Sequence, residues 1–382
     1  MRTAIIGKGT SSIITTLKFL KAGHEVDIFY DSSVPHINVG ESTTPGFHKL
    51  IFDVLDISIH DLVDAGVFSY KMGINFVNWG SGKNFHHNFY RGDIAHHFET
   101  QNFNTYIHTI LEERNLVTYR EEKVERLDSD AETAYVNERR YDFVVNCSGW
   151  LRQADYIDPV FKTVDSVVLF EDQLNYDTTH TLHLATEDGW QFGLPFPKQN
   201  KFKCGYLYNS EHISESEVEE KLSDKNIYEK FSWTPRYAKH LFVSPRIAMN
   251  GNALFFLEPL QALSLFYCSS FADFLVEYLH NPSGENLLKY NSVYLYEMWT
   301  YQLSLALHYK YGSVFDSSFW NETQTNAQQF FGHSPNGCDQ VFFQNLNNDL
   351  VAKQMKVPVT EFSSVGCFQP QDVLTIHNGM TQ

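Results

Sequence analysis

The chain has 382 residues, 43% hydrophobic and 15% aromatic, enough for a large core with more than one substructure. Its 29 basic and 46 acidic residues give a formal net charge of -17, which argues against nucleic acid, a polyanion, as a partner. The five cysteines (Cys147, Cys204, Cys268, Cys338, Cys367) form no CxxC pair, which argues against a cysteine zinc site or a disulfide framework and suits reduced thiols in a cytoplasm. No secretory pattern opens the chain, and no apolar stretch reads as a membrane span, so no membrane partner is expected.

In chain order, residues 2–6 read as a buried strand, Gly7 to Ser12 as a turn, residues 13–22 as an amphipathic helix and His24 to Tyr30 as a second strand. Residues 46–66 read as two short helices. Lys71 to Trp79 alternates like a single strand, and His86 to Tyr90 reads as another, with Gly80-Ser81-Gly82-Lys83 as the loop between them. A helix is expected over 102–115, a hairpin over 134–146 and several short strands over 165–210. Helices are expected over Ser214–Ser223, after Asn281 and over Trp299–Tyr311, while the last fifty residues give no assignable pattern.

Strand, glycine turn, helix, strand is the opening of a dinucleotide-binding fold. Gly7 and Gly9 let the backbone approach a pyrophosphate, and the N-terminus of the helix that follows the turn offers free N–H groups. Asp31 stands where an acid usually binds ribose hydroxyls. No second fingerprint of this kind occurs, so one dinucleotide is expected. If it is FAD, the electrons must come from outside the chain.

The run Val39-Gly40-Glu41-Ser42-Thr43-Thr44-Pro45 follows this turn. Together they resemble the flavin-dependent tryptophan halogenases, with their GxGTAGW-like opening and VGEAT-x-P segment. Ser69-Tyr70-Lys71 with Phe76-Val77-Asn78-Trp79, and Phe85-His86-His87-Asn88-Phe89, are similar to two further family runs. So are Asn146-Cys147-Ser148-Gly149-Trp150, Gly189-Trp190-Gln191-Phe192-Gly193-Leu194-Pro195, Gly205-Tyr206-Leu207-Tyr208 and Glu258-Pro259-Leu260. The collinear matches cover roughly residues 1 to 270. The chain is shorter than the tryptophan-specific members, and its composition suits a phage-borne or otherwise divergent one.

The resemblance implies an α/β fold. An FAD-binding, Rossmann-like module of the para-hydroxybenzoate hydroxylase group would comprise residues 1–155 and 245–280. Residues 156–244 would form an inserted β-sheet substrate domain, and 281–382 a mainly helical cover. It implies a cytoplasmic enzyme that uses FADH2, O2 and halide to make hypohalous acid, with a separate flavin reductase as partner and a small aromatic substrate. FAD would be held by Gly7, Gly9, Thr10, Ser11, Ser12, Asp31, Val39, Gly40, Glu41, Ser42 and Gly149. Lys71 matches the lysine that positions the oxidant. His87, Phe89, Trp190, Phe192 and Pro195 match the substrate pocket and its signature.

Departures from the family pattern matter as much. The second glutamate of the family's E-P-L-E-S-T-G run is Gln261 here, and an amide cannot act as a base at neutral pH. Ala262-Leu263-Ser264 replaces Ser-Thr-Gly at the halide site. An apolar Leu263 beside Ser264 favours bromide or iodide over chloride, because larger anions lose less on desolvation. Without the glutamate, the expected substrate is a free, electron-rich ring such as a phenol or indole. The same departures leave open a flavin monooxygenase or oxidase that has lost halogenation, or a flavin-binding protein without catalysis. His86-His87 and His96-His97 with Glu99 fit no common metal motif, and no metal is expected.

Overall fold

A computed structural model describes the whole chain apart from residues 36–37, 83, 90–91, 150–154, 174–175, 331–367, 369 and 382. Trp150, Lys83, Cys338 and Cys367 lie outside the described residues. The other three cysteines are buried and free.

Apolar runs of four to six residues at the start of the chain form the centre of a six-stranded sheet. Its order is Phe242–Ser244, Ile247–Met249, Phe143–Asn146, Arg2–Ile6, Glu25–Tyr30, Thr118–Glu121. All neighbours in it are parallel except the Phe242–Ser244 edge. Parallel strands need long connections, and the helix Thr10–Lys21 supplies the first of them. The sheet therefore gathers strands from widely separated parts of the chain.

A seven-stranded sheet lies beside it in the order Asn226–Ser232, Ser166–Gln173, Lys201–Tyr208, Gly189–Phe196, His180–Thr186, Gly73–Val77, Phe85–Asn88. Its last two strands come from before residue 156, joined in parallel to His180–Thr186. The single strand expected over Lys71–Trp79 is two. Ser69–Lys71 belongs to a small sheet with Ala95–Glu99 and Gly40–Ser42, and Gly73–Val77 belongs to the large one. Gly73 has the backbone of its neighbouring strand pressed against it, with His87 O 2.3 Å from where a Cβ would stand.

The helices Leu263–His280 and Gly284–Tyr309 pack behind the nucleotide-type sheet, the former against Thr10–Lys21. The two helices expected after Asn281 are one of 26 residues. Contrary to expectation, one stretch, Leu260–His280, is long and apolar enough to cross a membrane by composition alone; half of it is buried within the protein. The tail that resisted assignment contains a helix, Pro370–Thr381, docked on the strand Phe85–Asn88.

Candidate active site

The end of the first strand opens into a cavity of about 1000 Å³. Gly7, Gly9, Thr10, Ser11, Asp31, Val39, Gly40, Glu41, Ser42 and Gly149 all border it. Gly7 has φ +116, and a Cβ there would stand 2.7 Å from the Cys147 carbonyl oxygen, so no other residue lets the two strand ends meet this closely. Ser12 is buried and does not border the cavity; it packs beneath the turn. Asp31 is held in place by Ser33, whose backbone N–H and hydroxyl both donate to Asp31 Oδ1.

The far end of the cavity is walled by the large sheet, with Leu169, Thr181, His183, Phe192 and Leu194 among the lining residues. Phe192 lies flat over Gly205 on the neighbouring strand, where a Cβ would meet the ring at 2.4 Å. Trp190 does not border the cavity. It is fully buried, and its Nε1–H donates to Glu258 Oε1 at 2.8 Å. Tyr309 and Thr163 hydroxyls also donate to the Glu258 carboxylate, at 2.6 Å for Tyr309. No cation partners Glu258 among the described residues, and burial pushes its carboxyl up to about 7. Pro195 is likewise part of the framework, its carbonyl accepting from the Ser69 hydroxyl at 2.7 Å.

Lys71 is 1% exposed. Its Nζ donates to Ser42 Oγ at 3.0 Å and to the Thr43 carbonyl at 3.3 Å, and lies 5.5 Å from the centre of the Phe89 ring. Ser42 borders the cavity, so one hydroxyl separates the amine from it. Burial alone lowers the Lys71 ammonium to about 7. The neighbours it acts on electrostatically are the imidazoles of His96, His97 and His183. An amine in this setting can donate a hydrogen bond or accept a proton near neutrality.

Gln261 and Ala262 both have left-handed backbones, φ 56° and 62°, an uncommon conformation for non-glycine residues. This turn directs the Gln261 side chain into the interior, where its Nε2 meets His308 Nε2 at 2.6 Å. It also sets which of the following residues reach the cavity. Leu263 is buried as the first residue of its helix and does not border the cavity, whereas Ala262, Ser264 and Leu265 do. The Ser264 hydroxyl is within 2.9 Å of Tyr301 OH.

His87 and Phe89 stand at the end of the strand Phe85–Asn88. His87 pairs through Nε2 with Asp372 Oδ1 at 3.1 Å, and its ring lies 6.0 Å from that of Phe368. Phe368 is in turn 5.7 Å from His308. Sequence reasoning missed Asp372, Phe368 and His308, which lie beyond the segments that carry motifs. It also missed Glu258 as the anchor of Trp190, although both belong to quoted motifs. Of the histidines considered for a metal, His97 is bonded to Thr181 and Ser69, and His96 is buried against Phe68. Among the described residues, His86, Asp177 and His180 bring ligand atoms within 4.8 Å of one another, but both His180 nitrogens already face partners, Asp177 and Asn88.

These residues fit a bound FAD. The glycine turn and helix start suit a pyrophosphate, and Glu41 Oε2 is buried in the site without a partner among the described residues, as an acceptor awaiting a hydroxyl or N–H would be. Burial raises the Glu41 carboxyl to about 7, against a hydrogen bond from Thr10 that lowers it.

The family model for tryptophan halogenase matches residues 2–106 and 91–331. The tryptophan 7-halogenase KtzQ of Kutzneria sp. (strain 744) is 36% identical over 78 residues, 20% of this chain and 15% of that protein. The tryptophan 7-halogenase RebH of Lentzea aerocolonigenes is 22% identical over 301 residues, 56% of each chain. The match thus spans less than two thirds of either curated relative's length, 15% of one and 56% of the other. A tryptophan halogenase structure from Shewanella frigidimarina NCIMB 400 superposes with a TM-score of 0.80 at 15% identity, covering 100% of this chain and 89% of the other. At that identity the likeness speaks for the fold.

Proposed function

The chain belongs to the tryptophan halogenase family, and on that premise we propose that it is an FADH2-dependent halogenase of free, electron-rich aromatics, with Lys71 positioning the oxidant. The observation that carries this reading is the Lys71 amine, buried, without a carboxylate partner among the described residues, and one hydroxyl from the cavity. FAD, held in that cavity in its reduced form, would supply hypohalous acid from O2 and halide; a separate flavin reductase would supply the electrons.

The chain's own residues do the rest. Gly7, Gly9 and the N–H groups beyond them bind the pyrophosphate. Ser42 orients the Lys71 amine toward the route from the cavity. The Lys71 N–H hydrogen-bonds the oxidant and directs it at a ring beside Phe89 and His87. Phe192, stacked over Gly205, stands between the cavity and Trp190 and keeps the substrate from the flavin. Ala262 and Leu265, rather than Leu263, give the halide site its apolar side, which favours bromide and iodide over chloride.

Reduced FAD, oxygen and equimolar chloride, bromide and iodide, supplied with a phenol or an indole, test this. Brominated or iodinated product is expected. Clean chlorination overturns the halide preference. Hydroxylated product under every halide identifies a monooxygenase, the reading that Gln261 and the altered halide segment would favour.

A further inference from the structure

We propose that His87, oriented by Asp372, is the general base that takes the proton of a phenolic hydroxyl, which makes phenols the substrate class of this site. This rests on the halogenase reading above.

The His87 ring is 3% exposed. An ionised carboxylate only accepts hydrogen bonds, so the 3.1 Å contact with Asp372 Oδ1 places the N–H of the neutral ring on Nε2. The lone pair then lies on Nδ1. That atom is buried and has no partner among the described residues. A buried acceptor without a donor costs stability, and a ligand hydroxyl would satisfy it. Carboxylate, imidazole, free nitrogen is the arrangement by which a third group orients a base.

The surroundings agree with this role. His87 is flanked by Phe368, which continues to His308 and so to Gln261. Phe89, two residues along, lies beside the Lys71 amine. The adjoining strand Gly73–Val77 carries no titratable group. The groups that face His87 from other elements are His183, His308 and Asp372, and Lys71 acts on His183. Of these, Asp372 is the acid, and the position that offers a carboxylate in relatives is Gln261.

The step balances as a proton transfer. The phenol O–H bond breaks, Nδ1–H forms, and the electron pair stays on oxygen. The imidazolium is stabilised by Asp372. The phenolate ring carbon then attacks the halogen of hypohalous acid, forming C–X and breaking X–O. The departing hydroxide takes the imidazolium proton as water; the neutral imidazole then accepts the proton from the halogenated ring carbon, and the halophenolate oxygen takes that proton back, which restores the aromatic phenol and the free base. Ionising the hydroxyl activates the ring, which compensates for a glutamate that is absent.

The test uses the full chain and 4-nitrophenol, whose phenolate absorbs in the visible. Titrated at a pH about one unit below its ionisation in water, it is expected to bind as phenolate. His87→Gln should abolish the phenolate band, and Asp372→Asn, which keeps a hydrogen-bonding side chain on the docked helix, should weaken it. Far-UV circular dichroism checks that both variants fold. Halogenation of a weakly acidic phenol should fall about 100-fold or more in His87→Gln, the scale of a lost general base. The loss should shrink for phenols already ionised in water. Absence of binding or of the band in the wild type overturns the proposal, as does a band that survives in His87→Gln, which would give the proton to Lys71. Should the band behave as expected while no halide yields product, the halogenase reading fails and the proton acceptor stands.

Discussion

Gln261 donates its side-chain N–H to His308 Nε2 across 2.6 Å, while His308 Nδ1–H donates to the Ser304 carbonyl at 2.8 Å. Both imidazole nitrogens are thereby engaged in the neutral ring, and burial lowers His308 to about 3. The amide at position 261 is matched to a neutral histidine, so the two positions form a unit.

Gln261→Glu should disturb that unit. A carboxylate there needs an N–H from His308 Nε2, and the resulting buried ion pair has few other donors to satisfy it. The expected result is a Tm lower by a few degrees, equivalent to about 1 kcal/mol. A carboxylate there should also raise the rate on indoles relative to phenols, by up to roughly 100-fold, the low end of general-base effects. Thermal melts and a phenol–indole competition check both. An unchanged ratio counts against position 261 having a part in substitution.

Lys71→Met keeps the length and removes the amine. Halogenation should fall below detection while FAD affinity, followed by flavin fluorescence, stays within about twofold. The pH dependence of stability has a definite sign. The folded state holds this group near 7 against 10.5 in the unfolded chain, so between these values the unfolded state binds more protons. The contribution is fully present above 10.5 and is lost as pH falls toward 7. Urea melts across that window should rise with pH in the wild type and be flatter in Lys71→Met.

Glu258→Gln reverses the case. The folded carboxyl is raised to about 7 from 4.5, so its stabilising contribution is present below 4.5 and is lost as pH rises through 7. A glutamine oxygen still accepts from Trp190 and Tyr309. The variant should therefore match the wild type in acid and exceed it above pH 7, by on the order of a few kcal/mol. Equal pH profiles for the two proteins would remove the assignment.

Gly205→Ala should push the Phe192 ring, 2.4 Å from the new methyl, toward the cavity. FAD affinity is expected to drop about tenfold, about 1.4 kcal/mol. Phe192→Leu in the same chain should recover much of it. Titrations of the single and double variants give the coupling between the two positions, and additive losses would show that the ring and the glycine act independently.

The glycine turn and the first strand pair were legible because local sterics and contiguous residue types define them. Gly7 needs a positive φ and a close backbone contact whatever surrounds it. The strand through Lys71 and Gly73 reads as one because alternation does not reveal that two sheets share it. Leu263 reads as a halide contact because the left-handed backbone at Gln261 and Ala262, which turns it inward, has no signature in those residue types. The sequence alone thus determined the family and the nucleotide-type turn. Only the tertiary structure decided that Lys71 is buried without a carboxylate partner among the described residues, that Trp190 leans on Glu258, and that His87 meets Asp372, 285 residues away. A side chain's partner and its access to water depend on which distant segments pack around it, and local pattern carries no record of that packing.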